Sequence, residues 1–347
     1  MTFVIDYHNL LQYTQKMKNI LVTGGAGFYG VNFILYFSKQ NPDCHFTVLD
    51  SLEANGHLSE YNLGFLKEKL LKKIDFFRVD ITQNEKVKRV FNKYFYIVVH
   101  FGAASTVLGV DNNNRAEEVN IEGTKIVFDA AINSGVETFL HQSTGLVYGK
   151  HQDAADESFP VNLQESAYAA TKILGEQYII DHSNKNNKTR VMITRPANTY
   201  GPFQWIDSRL IEGLCREVIK GEPIRLRSDG TELREFIYVE DAVMAIGNVL
   251  NYGKAGEIYN IGVDTMTSVG EISRLVAESA VELGYLQKTP EIISGVSRQN
   301  DNLSYLLDSS KIKKLGPGWK IKKSLKEGVR ETLIWNFEHK ELWNKKQ

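Results

Sequence analysis

Residues 23 to 30 read TGGAGFYG, and they decide the fold. Gly24, Gly27 and Gly30 follow directly on NILVT (19–23), a short apolar run of the kind that makes a buried parallel strand. They lead into VNFILYFSKQ (31–40), whose apolar residues recur at helical spacing. Strand, glycine turn and helix in that order make a phosphate-binding device. The glycines allow a tight turn and let the backbone approach a pyrophosphate, while free N–H groups and the positive dipole end of the helix face the anion. A glycine pattern alone says little, but between a strand and a helix it predicts a dinucleotide site.

Outward from this turn the alternation continues. HFTVLD (45–50), IDFFRVD (74–80), YIVVHFGAA (96–104), TFLHQST (138–144) and RVMITRPAN (190–198) read as strands. NEKVKRVFNKY and AEEVNIEGTKIVFDAAINSG read as helices between them. Such a chain is most economically an α/β fold, a Rossmann doubly wound parallel sheet. After Asn198 the pieces shorten: IRLRS, REFIYV and EIYNIG read as strands and VGEISRLVAESAVELG as a helix. The expected organisation is an extension over 1–16 and a dinucleotide-binding domain over 17–197, with a return segment near 235–262. A smaller discontinuous lobe over 198–234 and 263–347 is expected to close over the carboxyl ends of the strands, where ligands bind in such folds. The extension reads either as an amphipathic add-on or as an upstream start that adds little. HSNKNNK (182–188) reads as an exposed loop.

The chain of 347 residues is 42% hydrophobic and 24% charged, which fits a globular protein with a real core. Its 41 basic and 42 acidic residues nearly cancel, which argues against bulk attraction to nucleic acid or to an anionic membrane. No apolar run reaches membrane-spanning length, and the N-terminus lacks a signal-peptide pattern, so neither a membrane nor a secretory route is expected. Cys44 and Cys215 have no metal spacing, so no metal site is expected, and a reducing cytoplasm fits.

Asp50 ends the second strand about 20 residues beyond the last glycine, where a carboxylate can take the ribose hydroxyls of a dinucleotide and repel a 2′-phosphate; this favours NAD over NADP. Its plainer reading is a strand-end or cap acid. Asp80 ends the third strand and reaches either an adenine edge or the start of the helix after TQNE. Phe28, Tyr29, Ile81, Phe101 and Ala103 complete the expected cofactor wall. YAATK places Tyr168 and Lys172 at i and i+4 on one helical face. An ammonium beside the phenol favours the phenolate, which can take a proton from a sugar hydroxyl as hydride leaves, while Lys172 holds the nicotinamide ribose. QSTGLVYG (142–149) ends the fifth strand with Ser143 and Thr144, whose hydroxyls can position the reacting oxygen.

TGGAGFYG, Asp50, QSTGLVYG, YAATK, RPANTYGPFQW and REFIYVEDA together resemble the extended short-chain dehydrogenase/reductases that modify nucleotide sugars, over nearly all of the chain from residue 17. LDSLEANGHLSEYNL, RPANTYGPFQ and the DG-x₃-RE-x₂-YVED segment lean towards the dTDP-glucose 4,6-dehydratase branch. The resemblance implies NAD as cofactor and a nucleotide-diphosphate sugar as substrate. It also implies a homodimer formed through helices near 113–133 and 165–183. Thr144, Tyr168 and Lys172 take the catalytic roles. Ser143, Asn198, Arg209 and Arg234 take the substrate, with Arg234 at the diphosphate or, on the plainer reading, paired with Glu232 or Glu235 on the surface. Trp205 and Phe203 either stack on substrate or pack. His100, His141 and Tyr148 read as core residues.

One departure governs the function. The dehydratases resemble one another in carrying Ser-Thr-Asp-Glu before Val-Tyr-Gly, and those acids eliminate water across C5 and C6. Here the two places hold Gly145 and Leu146, which transfer no proton. Related decarboxylases keep a glutamate where Leu146 stands. Thr144, Tyr168, Lys172 and NAD suffice for oxidation at C4 and return of hydride to the other face, so epimerisation is the first reading. Dehydration with acids from elsewhere (Glu118, Asp111 or Asp207), 4-keto reduction, and a non-catalytic NAD or nucleotide-sugar sensor are the alternatives.

Overall fold

The computed structural model describes residues 19–54, 56–104, 113–151, 153–183, 188–206, 208–296 and 305–343. The extension over 1–16, the centre of the expected loop at 182–188, Asp111 and Asp207 lie outside them. Seven parallel strands make one sheet: β1 (Asn19–Thr23), β2 (His45–Asp50), β3 (Ile74–Arg78), β4 (Ile97–His100), β5 (Thr138–Gln142), β6 (Arg190–Pro196) and β7 (Ile258–Ile261). Their order is β7-β6-β5-β4-β1-β2-β3, so the winding reverses between β1 and β4 and opens a crevice at the strands' carboxyl ends. The central strands are mostly apolar, as suits strands covered on both faces. Ile20, Val22, Val98 and Leu140 are fully buried.

Helices α1 (Phe28–Gln40) and α2 (His57–Leu70) cover one face, while α3 (Asn84–Val90), α4 (Thr124–Ser134) and α5 (Ala167–Ser183) cover the other. The sequence reading assigns no helix to 57–70. Of that helix's four buried residues two are polar, Ser59 and Asn62, so its apolar period is weak. Asn62 is satisfied internally: it donates to the Ala26 carbonyl at 2.9 Å and accepts from Trp205 Nε1 at 2.9 Å. The helix expected over 113–133 is interrupted by a wide turn, Glu118–Gly123. Buried Asn120 holds it there, accepting from Ala104 N at 2.8 Å and donating to Thr171 Oγ1 at 3.0 Å.

The remaining chain has its own core. Helices α6 (Leu210–Lys220), α8 (Val269–Glu282) and α9 (Leu325–Glu338) bury Leu214, Val218, Ile272, Val276 and Leu333 together. Between them, α7 (Val239–Tyr252) packs back on α1. Ser268 with Glu271 and Ser324 with Glu327 form capping boxes that start α8 and α9. Trp205 is buried in an aromatic cluster with Tyr61 and Trp335, and Phe203 packs on Phe65 and Trp335, so both pack rather than line the cleft. Among the described residues no helix is long and apolar enough to cross a membrane.

Candidate active site

A cleft of about 560 Å³ opens at the crevice. It is lined by Gly24, Gly27, Phe28, Tyr29, Asp50, Asp80, Ile81, Phe101, Ala103, Ser143, Thr144, Tyr168, Lys172, Asn198 and Arg209, so fifteen of the residues singled out above meet on one surface. Two do not line it. Gly30 is buried behind the turn: a β-carbon there would sit 2.3 Å from the Gly24 carbonyl oxygen. Its part is to let helix and turn approach, and it reaches a ligand only through them. Arg234 lies on the short strand Leu233–Arg234 and donates to the Leu233 carbonyl at 2.9 Å, away from the cleft wall. Its neighbour Glu235 points inward, fully buried, so the expected surface pairing is not what Glu235 does. Its carboxyl accepts from the N–H groups of Val263, Asp264 and Leu307 at 2.6, 2.9 and 3.0 Å. Burial pushes it to about 7 against the pull of those donors.

The cofactor end fits a dinucleotide. Gly24 has φ +65°, and a β-carbon there would meet Gly102 N at 2.8 Å, so only glycine makes this turn. No side chain caps the N-terminus of α1, which leaves its first N–H groups for an anion. Asp50 accepts from Ala26 N at 3.0 Å and from Leu52 N at 2.8 Å, fixing turn and strand end together. Burial raises its pKa against those two bonds. Asp80 spends one oxygen on the N–H and hydroxyl of Thr82 and pairs the other with Arg115, which also holds Glu118 at 2.9 Å. Burial alone would raise Asp80; the Thr82 N–H, the Arg115 bond and the Thr82 hydroxyl outweigh it and hold the carboxyl below its usual value. Its local bonds are those of a turn, and Arg115 is a wall residue that no motif announced.

At the other end stand the redox groups. Thr144 starts the short helical turn Gly145–Tyr148 and accepts from Leu146 N at 3.3 Å. Tyr168, half-buried at the start of α5, has its pKa raised by burial, with the Arg209 cation pulling it back. The sequence reading gave that cation's part to Lys172. Lys172 lines the cleft too, is 2% exposed, donates to the Gln142 carbonyl at 2.9 Å and lies 3.4 Å from His141 Nε2. An ammonium only donates, so Nε2 accepts and the His141 proton sits on Nδ1. His100 bonds Thr23 Oγ1 at 2.6 Å and Thr124 Oγ1 at 3.1 Å. Burial first, and the Lys172 charge second, hold both histidines neutral, His100 near 3. They are core residues, as read. Tyr148 is too, bonding Asn260 at 2.8 Å.

Burial lowers Lys172 to about 8, with Glu176 one turn on opposing the fall. The charged form is therefore present below about pH 8 and lost above it. The expected result is that NAD affinity, followed by titration from pH 6.5 to 9.5, drops roughly 3–10-fold across that step, because a charge-assisted hydrogen bond becomes a neutral one. Lys172→Met should bind weakly at every pH with no step. A step of the same size in the variant would assign it to another group.

Gln142 and Gln204, which stand in quoted motifs without being singled out, and Tyr305 also line this end. Tyr305, 5% exposed, lies in a segment with no motif of its own, two residues before Leu307, whose N–H Glu235 holds. A β-carbon on Gly145 would meet the Tyr305 ring at 2.7 Å and Leu307 at 3.0 Å. Three polar atoms of the site are buried without a partner among the described residues: Gln142 Oε1, Ser143 Oγ and Arg209 Nε. No group of three metal-ligating side chains occurs among the described residues.

The chain belongs to the NAD dependent epimerase/dehydratase family, whose sequence profile matches residues 20–262. It is thus an NAD-dependent enzyme. It is 32% identical over 330 residues to the mouse dTDP-D-glucose 4,6-dehydratase, covering 94% of this chain and 90% of that one. Its fold is similar to the dTDP-glucose 4,6-dehydratase of Streptomyces venezuelae solved with NAD (TM-score 0.82, 30% identity, 94% of this chain and 99% of that one). It is also similar to the UDP-glucose 4-epimerase of Thermotoga maritima solved with UDP-glucose (TM-score 0.80, 28% identity, 93% and 99%).

Proposed function

We propose that this enzyme epimerises a nucleotide-diphosphate sugar at C4. The observation that carries the reading is the distribution of carboxylates. Of the described residues lining the cleft, only Asp50, Glu53 and Asp80 bear one, and all three stand at or just beyond the ends of β2 and β3, on the cofactor side. The reacting end holds Thr144, Tyr168, Lys172, Asn198, Arg209 and Tyr305. Elimination of water needs an acid and a base at C5 and C6. Gly145 supplies neither, and Tyr305 and Leu307 fill the space that a side chain there would need. Glu118, a candidate replacement, is exposed and paired with Arg115.

The residues present suit a redox step that reverses. Gly24, Gly27, Asp50 and Lys172 would hold NAD, whose chemistry here is reversible uptake of the C4 hydride. Tyr168 accepts the proton of the C4 hydroxyl, Arg209 stabilises the phenolate, and Thr144 positions the oxygen. When hydride returns to the opposite face, Tyr168 gives the proton back. Atoms and electrons balance without water. Arg209 Nε has no partner among the described residues, so it has a donor left for the substrate. The smaller core over α6, α8 and α9 is the sugar-nucleotide lobe, and the functional unit is a cytoplasmic homodimer. The dehydratase names among the relatives favour dehydration as the second reading.

The test is incubation of the protein with NAD and a panel of UDP-, dTDP-, GDP- and CDP-sugars, followed by chromatography and mass spectrometry. A product of unchanged mass and shifted retention supports epimerisation. A product lighter by one water supports the second reading.

A further inference from the structure

Tyr29 belongs to the cofactor turn by sequence, yet its hydroxyl bonds Thr199, in the segment after β6. It is the second residue of α1 and its ring stacks on Phe101, with centroids 5.7 Å apart and planes at 27°. From there the phenol reaches Thr199, in the strand Asn198–Tyr200 on the far wall of the cleft, and the two hydroxyls hydrogen-bond. Thr199 Oγ1 also donates to the Ala197 carbonyl at 3.0 Å. A hydroxyl has one hydrogen to give. Both contacts are hydrogen bonds only if Tyr29 donates to Thr199 and Thr199 to Ala197. The Tyr29 oxygen is then left with lone pairs alone.

An acceptor-only oxygen in this place is selective. It repels phosphate oxygens, which have no hydrogen to offer, and it welcomes a hydroxyl. Its neighbours are groups of the reacting end: Tyr29 senses the charges of Tyr168 and Arg209, and Tyr305 senses those of Tyr29, Tyr168 and Arg209. Arg209 and Lys172 are donors only, so the Tyr29 oxygen offers what neither cation can. Burial raises the Tyr29 pKa, with the Thr199 bond opposing, so the phenol stays protonated and acts by hydrogen bonding rather than by proton transfer.

We infer that Tyr29 is a specificity-determining residue: its oxygen accepts a hydrogen bond from one hydroxyl of the bound sugar, and Thr199 fixes it in that role. The inference rests on the reading of the cleft as a nucleotide-sugar site. It makes the chain selective for sugars that carry that hydroxyl.

The experiment is an equilibrium binding series on the full chain loaded with NAD. The probes are UDP-glucose, dTDP-glucose and their 2-, 3-, 4- and 6-deoxyfluoro forms, since fluorine cannot donate. One fluoro analogue is expected to bind roughly 3–10-fold more weakly than its parent, the cost of one hydrogen bond. In Tyr29→Phe, which keeps the ring and its stacking, the parent should weaken by the same factor and that analogue should lose nothing more. NAD affinity should not change. Undiminished discrimination in Tyr29→Phe overturns the inference alone, as does a loss of NAD affinity without a change in sugar discrimination. If the unsubstituted chain binds neither parent sugar, the nucleotide-sugar reading falls and this inference with it.

Discussion

Tyr168→Phe is expected to lower kcat by about 10²–10⁴-fold, the usual contribution of a placed acid–base group, with little change in stability. In the proposed mechanism the hydroxyl is the proton acceptor, with the Arg209 cation drawing its pKa down against burial, while Lys172 donates to the Gln142 carbonyl and lies against His141. Removing one oxygen leaves the ring to pack where it does now, at the start of α5. The measurement is single-turnover reduction of bound NAD, read by its absorbance, together with steady-state kcat. If kcat stays within threefold of the unsubstituted chain, proton transfer runs through another group and Tyr168 is not the base.

The second large effect is structural. Gly30→Ala is expected to destabilise the chain by about 3 kcal/mol, at the upper end for overpacking, and to abolish NAD binding. The new β-carbon would lie 2.3 Å from the Gly24 carbonyl oxygen and 2.4 Å from the Gly25 α-carbon. Both are backbone atoms of the turn that must cradle the pyrophosphate, so neither can step aside like the end of a side chain. The helix would have to lift off the strand. Thermal unfolding with and without NAD separates the two consequences: the melting temperature should fall by roughly 4 °C, and NAD should no longer raise it. A variant that NAD still stabilises would mean that the turn tolerates a wider angle than its contacts imply.

These two residues also show what the sequence could disclose. Gly30 and Tyr168 stand in short motifs whose spacing is itself the physics: three glycines between a strand and a helix, and two polar groups one helical turn apart. Continuous apolar strands such as NILVT and YIVVH announce a parallel sheet for the same reason, since both their faces are covered. The sheet and most of the cleft were therefore legible. What was not legible arrives from a distance. Tyr305 reaches the cleft from a segment without a motif, held there by Glu235 through the Leu307 N–H. Arg209 adds a cation that acts on Tyr168 from a distant segment, and only the folded chain shows Lys172 bonding the Gln142 carbonyl and lying against His141. Helix α2 hides because Asn62 and Ser59 occupy core positions that periodicity expects to be apolar. Arg234 carries the right chemistry in the right motif and is not among the residues that line the cleft.

The central claim is that hydride leaves and returns at C4 while no proton is exchanged with carbon. The most direct measurement is the reaction in deuterium oxide with the turned-over nucleotide sugar, the product being examined by proton NMR and mass spectrometry. The account predicts a C4 epimer with no deuterium on any carbon, since the hydride is returned internally and Tyr168 exchanges only hydroxyl protons. Deuterium at C5 or C6, or loss of water, would contradict it and show that an acid and a base reach C5 and C6 from another part of the chain.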